Sequence, residues 1–97
     1  MSSFLITYDL HKPDRDYSPL YQLMAGWGAI RLTESLWMAN LRGPAAVIRD
    51  LVVQQVHPRD TVAVVQLQQG TDWATHVVKP AALAWLSNNV TPAEIAA

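Results

Sequence analysis

The spacing between apolar residues keeps switching along the first two-thirds of the chain, and the order of those switches leaves few folds open. Phe4-Leu5-Ile6-Thr7-Tyr8-Asp9-Leu10 is a short run of aromatic and β-branched residues that ends at a Pro-containing polar stretch, which is the pattern of a buried strand. Ser18 is a good N-cap, and Pro19 suits the first helical position, where its missing N–H costs nothing. Leu20, Leu23, Met24 and Trp27 then recur at i, i+3, i+4 and i+7, one face of a helix that Gly26 and Gly28 end. From Ala29 to Glu34 the chain alternates, with Ile30 and Leu32 on one face and Arg31 and Thr33 on the other. A further strand, Leu36-Trp37-Met38-Ala39, follows a tight or bulged turn near Glu34-Ser35. After a loop from Asn40 to Gly43, Pro44 opens a second helix whose expected buried stripe is Val47, Ile48, Leu51 and Val52. His57-Pro58-Arg59-Asp60 turns the chain into Thr61–Leu67, its most β-like stretch, expected at or near the centre of a sheet.

Strand, helix, strand, strand, helix, strand is the split βαβ pattern, so the expected fold class is α+β, a ferredoxin-like βαββαβ sandwich with an extra C-terminal helix. Two helices would cover one face of a four-stranded antiparallel sheet. The other face would be left for a partner, a ligand or the C-terminal segment. With 97 residues there is room for one core, so a single domain over 1–97 is expected, its sandwich at about 4–67 and a C-terminal extension over 68–97. In that extension Trp73 to Val78 reads as a short strand or one helical turn. Lys79-Pro80 starts a last helix through Leu83 and Leu86 that ends near Asn88-Asn89. Thr91-Pro92-Ala93-Glu94 has capping-box form, with too few residues after it for a stable helix.

Charged residues make up 15% of the chain, below the usual ~25%, and there are four Trp, so a good deal of apolar surface is left and a homodimer is expected. The net charge of −1 is not the strongly basic balance of a protein built to clamp phosphate backbones. Cysteine is absent, which excludes disulfides and Cys-ligated zinc or iron–sulfur centres. No apolar run reaches the length of about 18 residues that a membrane helix needs, and Met1–Ile6 carries no basic region of a secretory signal. The expected location is the cytoplasm, with no membrane partner.

Several local motifs carry a family resemblance. Tyr8-Asp9-Leu10 closes the first strand, Lys12-Pro13 and Asp16-Tyr17-Ser18 lead into the first helix, and Glu34-Ser35-Leu36-Trp37 spans the strand pair. Val62–Leu67 forms the last strand, and Asp72-Trp73-Ala74-Thr75 follows it. Together, over most of residues 4–86, these resemble the small CRISPR-associated endonuclease of spacer acquisition and the VapD-type toxins that share its fold. The chain looks most like a SinR-like, Cas-like group. The resemblance implies a ferredoxin-like homodimer in which Asp9 meets its mate across the interface and the pair holds a divalent cation, Mg²⁺ or Mn²⁺. It implies that Ser35 and Trp37 line the same cleft, and that the activity is metal-dependent cleavage of DNA or RNA.

Read on its own chemistry, Asp9 supports two roles. A metal-dependent phosphodiesterase needs a carboxylate for the ion, and an Asp held by a strand end yet open to a loop is well placed. Alternatively, Asp9 organises the following loop as a turn residue. Asp14 and Asp16 add carboxylates nearby, and Lys12 and Arg15 either touch phosphate or stay hydrated. His11, His57 and His76 are far apart in sequence and form no i, i+4 pair; His11, two residues from Asp9, is the one candidate proton shuttle. Trp37 and Trp73 offer either a base-stacking platform or a dimer seam, whereas Trp27 belongs to a helix's apolar stripe and Trp85 could face a partner. Two functions from different classes follow: a metal-dependent endonuclease, or a non-catalytic dimeric interaction module on the same scaffold.

Overall fold

Strand β1 (Ser2–Asp9) alternates so that Phe4, Ile6 and Tyr8 are buried on one face while Leu5 and Thr7 point to the other. The computed structural model describes residues 1–90, so the Thr91–Glu94 motif lies outside the described residues. The order continues with α1 (Ser18–Gly26), β2 (Ile30–Thr33), β3 (Leu36–Leu41), α2 (Ala45–Val53), β4 (Thr61–Leu67) and α3 (Pro80–Asn89). The sheet is four-stranded and antiparallel, in the order β2-β3-β1-β4. This α+β arrangement is compatible with the expected ferredoxin-like sandwich. Among the described residues no helix is long and apolar enough to cross a membrane.

Two clusters fill the two faces. On the first, Phe4, Ile6 and Tyr8 meet Leu20 and Met24 of α1 and Ile48, Val52 and Val56 of the α2 region. Each large apolar side chain buried in this way contributes about 1.5–3 kcal/mol. On the second, Met38 packs with Ala82 and Leu86 of α3, flanked by Leu5, Ile30, Leu32, Leu36, Trp73, Val78 and Trp85. The C-terminal segment of the same chain therefore covers part of the face for which sequence left three occupants open. Trp85 is half-buried in this internal cluster.

Helix α1 ends as its glycines require. Gly28 adopts φ +66°, a left-handed conformation that Gly takes without a Cβ penalty. Gly28 N–H donates to Ala25 O and Ala29 N–H to Met24 O, the paired bonds of a Schellman motif. The helix's start differs from expectation. Ser18 is its first residue and not its cap; the Ser18 N–H (2.9 Å) and hydroxyl (2.6 Å) both donate to Asp16 Oδ1. Those two bonds, the hydroxyl's first, hold the Asp16 carboxyl below its ordinary value. Pro44 likewise stands one residue before α2, at its N-cap.

Three further expectations change. In α2, Ile48 and Val52 are buried, but Val47 and Leu51 are 50% and 41% exposed, because consecutive helical positions lie about 100° apart and only one of the two stripes can meet the sheet. Strand β4 pairs with β1 alone and is an edge strand, not a central one. Residues 73–78 form neither strand nor helix, and Val77 takes φ +55°, which both regular structures exclude.

Candidate functional site

The β2–β3 hairpin bulges between Arg31 and Thr33 and brings its tip against the end of β1, where Tyr8 N–H donates to Ser35 O at 3.2 Å. Arg31 pairs with Trp37 across the hairpin, and Trp37 pairs with Ile6, so Arg31 and Trp37 lie on the helix-facing side of the sheet. Between this corner and α1 lies a cleft of about 470 Å³, lined by Tyr8, Asp9, Tyr21, Arg31, Glu34, Ser35 and Trp37 together with Leu10.

Arg31 dominates its chemistry. The guanidinium carbon lies 4.4 Å from the centre of the Trp37 ring and 5.3 Å from that of Tyr21, so the two rings hold the cation by its π faces. Trp37 is fixed in turn, its Nε1–H donating to Tyr8 Oη at 2.9 Å. The Arg31 Nε is buried without a hydrogen-bond partner, and among the described residues the guanidinium forms no ion pair. A buried donor left unmet costs about 1–3 kcal/mol, and the terminal guanidinium nitrogens, which have no described partner and are not buried as Nε is, are the donors an acceptor in the cleft would meet.

Asp9 stands on the cleft's rim with its side chain 74% exposed, and His11 Nε2 lies 3.6 Å from Asp9 Oδ2. Of the residues singled out from sequence, Asp9, Ser35 and Trp37 therefore share one cleft. Lys12 and Arg15 do not line it; they lie on the exposed loop between β1 and α1, where Arg15 N–H donates to Lys12 O and the Arg15 guanidinium sits 5.9 Å from the Tyr17 ring. Trp73 is no open platform, since it is half-buried and its Nε1–H donates to Val90 O at 2.7 Å. Sequence reasoning named Tyr8 and Glu34 only within motifs and did not single out Arg31 or Tyr21. Alternation puts Arg31 opposite Ile30 and Leu32, the usual place of a solvent-facing residue, and only the fold shows that this face is the one turned toward the helices.

Whether the residues present suit a metal can be judged from the donor set. Among the described residues no group of three or more His, Cys, Asp or Glu side chains could hold an ion. The cleft offers Asp9 and Glu34. That set is too small for a cation stripped of water; one or two carboxylates with waters and a substrate phosphate is the kind of donor set that Mg²⁺ takes. No family model matches the chain, and no solved structure matches it. The fold and cleft thus define a small α+β protein with an aromatic-flanked arginine beside an exposed carboxylate.

Proposed function

We propose that this chain is a ferredoxin-like, dimeric nucleic-acid-binding protein that cleaves a phosphodiester with Mg²⁺ or Mn²⁺ at Asp9. The sheet order and the placement of α1 and α2 on one face support the ferredoxin-like reading. The observation that carries the function is the uncompensated Arg31 guanidinium in the same cleft as Asp9. Arg31 receives a phosphate oxygen through its free N–H groups while Trp37 and Tyr21 keep its plane oriented. Asp9 and Glu34 hold the hydrated ion, and His11, beside Asp9, is placed to take a proton from a water. An ion held there would supply Lewis-acid polarisation of the phosphate and make a bound water easier to deprotonate. The water oxygen bonds to phosphorus, one P–O ester bond breaks, and the leaving oxygen takes a proton, giving a phosphate monoester and an alcohol.

The second reading, a non-catalytic dimeric interaction module, is favoured by a different observation. Val47, Leu51 and Val53 of α2 and Val65 of edge strand β4 are exposed apolar side chains. One experiment separates the two. Labelled single- and double-stranded DNA and RNA are incubated with Mg²⁺, Mn²⁺ or chelator, using wild type, Asp9→Asn and Arg31→Met. The first reading expects binding that weakens in Arg31→Met and cleavage that needs both metal and Asp9. Cleavage surviving chelator and Asp9→Asn overturns the metal reading; no binding to any substrate supports the interaction module.

A further inference from the structure

The Asp60 carboxylate accepts three hydrogen bonds, and the cleft itself does not contain it. Asp60 Oδ1 accepts from His11 N–H at 2.8 Å. Its Oδ2 accepts from the Tyr17 hydroxyl at 2.6 Å and from His57 N–H at 2.8 Å. Asp60 immediately precedes β4, whose first residue, Thr61, is the register partner of Asp9 at the end of β1. One carboxylate therefore ties together the start of the β1–α1 loop, the residue before α1 and the α2–β4 turn, at the sheet end from which Asp9 emerges.

We infer that Asp60 is a positioning residue: by holding the His11 backbone it sets the His11 imidazole beside Asp9 and fixes the mouth of the cleft. The first residue able to leave the β-ladder after Asp9 is Leu10, and the first backbone donor caught after that is His11. Without that bond the His11 N–H has no other described partner, and its ring is free to leave the 3.6 Å approach to Asp9 Oδ2. The charge is well matched to the task, because a carboxylate with two oxygens can take three donors from three segments, which a neutral side chain of that size cannot. The Asp60 carboxyl also stays ionised readily: partial burial raises its pKa, but the Tyr17, His11 and His57 hydrogen bonds outweigh burial and hold it below the ordinary carboxylate value. This inference rests on the reading of Asp9 as the reactive carboxylate.

The test uses nuclear magnetic resonance on the full chain. In wild type, the His11 and His57 amides should exchange with solvent more slowly than that of Asp14, for whose N–H no partner is described in the loop; equal rates overturn the anchor without any variant. In Asp60→Asn, the His11 amide should exchange about tenfold faster while the Ile6 amide in β1 keeps its rate. The second readout follows the His11 ring protons at about pH 9, above the usual histidine range. Asp9→Asn should move them, and Asp60→Asn should move them in the same sense. A ring signal unchanged in Asp60→Asn reduces Asp60 to a structural contact and overturns the inference. Failure of metal-dependent cleavage in wild type would sink the reading of Asp9 while leaving these exchange and ring measurements to decide the anchor on their own.

Discussion

Replacing Arg31 by Met separates binding from stability, because the stability terms nearly cancel and the binding terms do not. The Arg31 Nε is buried and unmet, and a donor in that position costs about 1–3 kcal/mol, which Met removes. Against this stand the stackings on Trp37 at 4.4 Å and Tyr21 at 5.3 Å, each worth about 0.5–1 kcal/mol in a site open to water. Met keeps the apolar stem, so the packing of the Arg methylenes survives. The terms nearly cancel: the variant should lie between about 1 kcal/mol less and about 2 kcal/mol more stable than wild type. A change of about 1 kcal/mol moves Tm by roughly 4–8 °C in a domain of this size. Affinity should not cancel. A hydrogen bond from a charged group to phosphate contributes about 1.5–3 kcal/mol, so oligonucleotide binding should weaken by roughly tenfold to a hundredfold. Urea unfolding and fluorescence anisotropy at fixed low salt measure the pair. A loss of more than about 2 kcal/mol in stability with binding unchanged would show that Arg31 is a structural support, and the reasoning would fail.

Ile48→Ala should cost about 2–5 kcal/mol in urea unfolding, whereas Val47→Ala should stay within about 0.5 kcal/mol, since only the former faces the sheet. Leu86→Ala should cost a similar 2–5 kcal/mol and shift Trp fluorescence to the red, because Leu86 belongs to the cluster that shelters Trp73 and Trp85. The Tyr17–Asp60 contact predicts stability losses at both ends of the pH scale. Asp60 titrates below its unfolded value, so its contribution is complete above about pH 4 and is lost as pH falls through the folded value. Tyr17 titrates above its unfolded value, chiefly through burial and then through its bond to Asp60, so its contribution is complete below about pH 10 and is lost as pH rises through the folded value. Urea midpoints across pH should therefore show an alkaline decline that Tyr17→Phe removes and an acid decline that Asp60→Asn reduces.

What could be read from the chain was what local chemistry decides. Pro19 and Gly28 mark the ends of α1 by backbone geometry alone, and Lys79-Pro80 marks the start of α3 in the same way. What could not be read depended on neighbours. The β-rich composition of Thr61–Leu67 reports a strand suited to a pleated, half-buried surface, but not how many strands flank it, so composition alone does not tell this edge strand from one at or near the centre. Val47 and Leu51 form as good a helical stripe as Ile48 and Val52, and only the position of Phe4 and Ile6 beneath decides between them. Ser18 and Asp16 are both good caps, and the bonds from Ser18 to Asp16 depend on side-chain directions that a residue order does not specify. The cleft was half legible: Asp9, Ser35 and Trp37 were drawn together, while Tyr21 and Arg31 required the fold.

The location of Arg31 follows from how the layers meet. Helix α2 lies against β4 and α1 packs its Leu20 and Met24 over β1, so the helix-facing side of edge strand β2 is the corner of the first layer that the two helices cover least. An ordinary solution would set an apolar residue there to extend the core, or a charge in full contact with water. Instead the chain places a guanidinium between two aromatic rings with one donor buried and unmet, next to a carboxylate that leans into solvent. Chains in which pattern, propensity and polar satisfaction agree elsewhere tend to break those rules where function demands it. Here the break coincides with the largest cleft described and with the strand end that Asp60 holds in place. An anionic oxygen in the cleft would pair the guanidinium's charge through its terminal nitrogens, so oligonucleotide binding by wild type against Arg31→Met decides whether this corner serves a ligand.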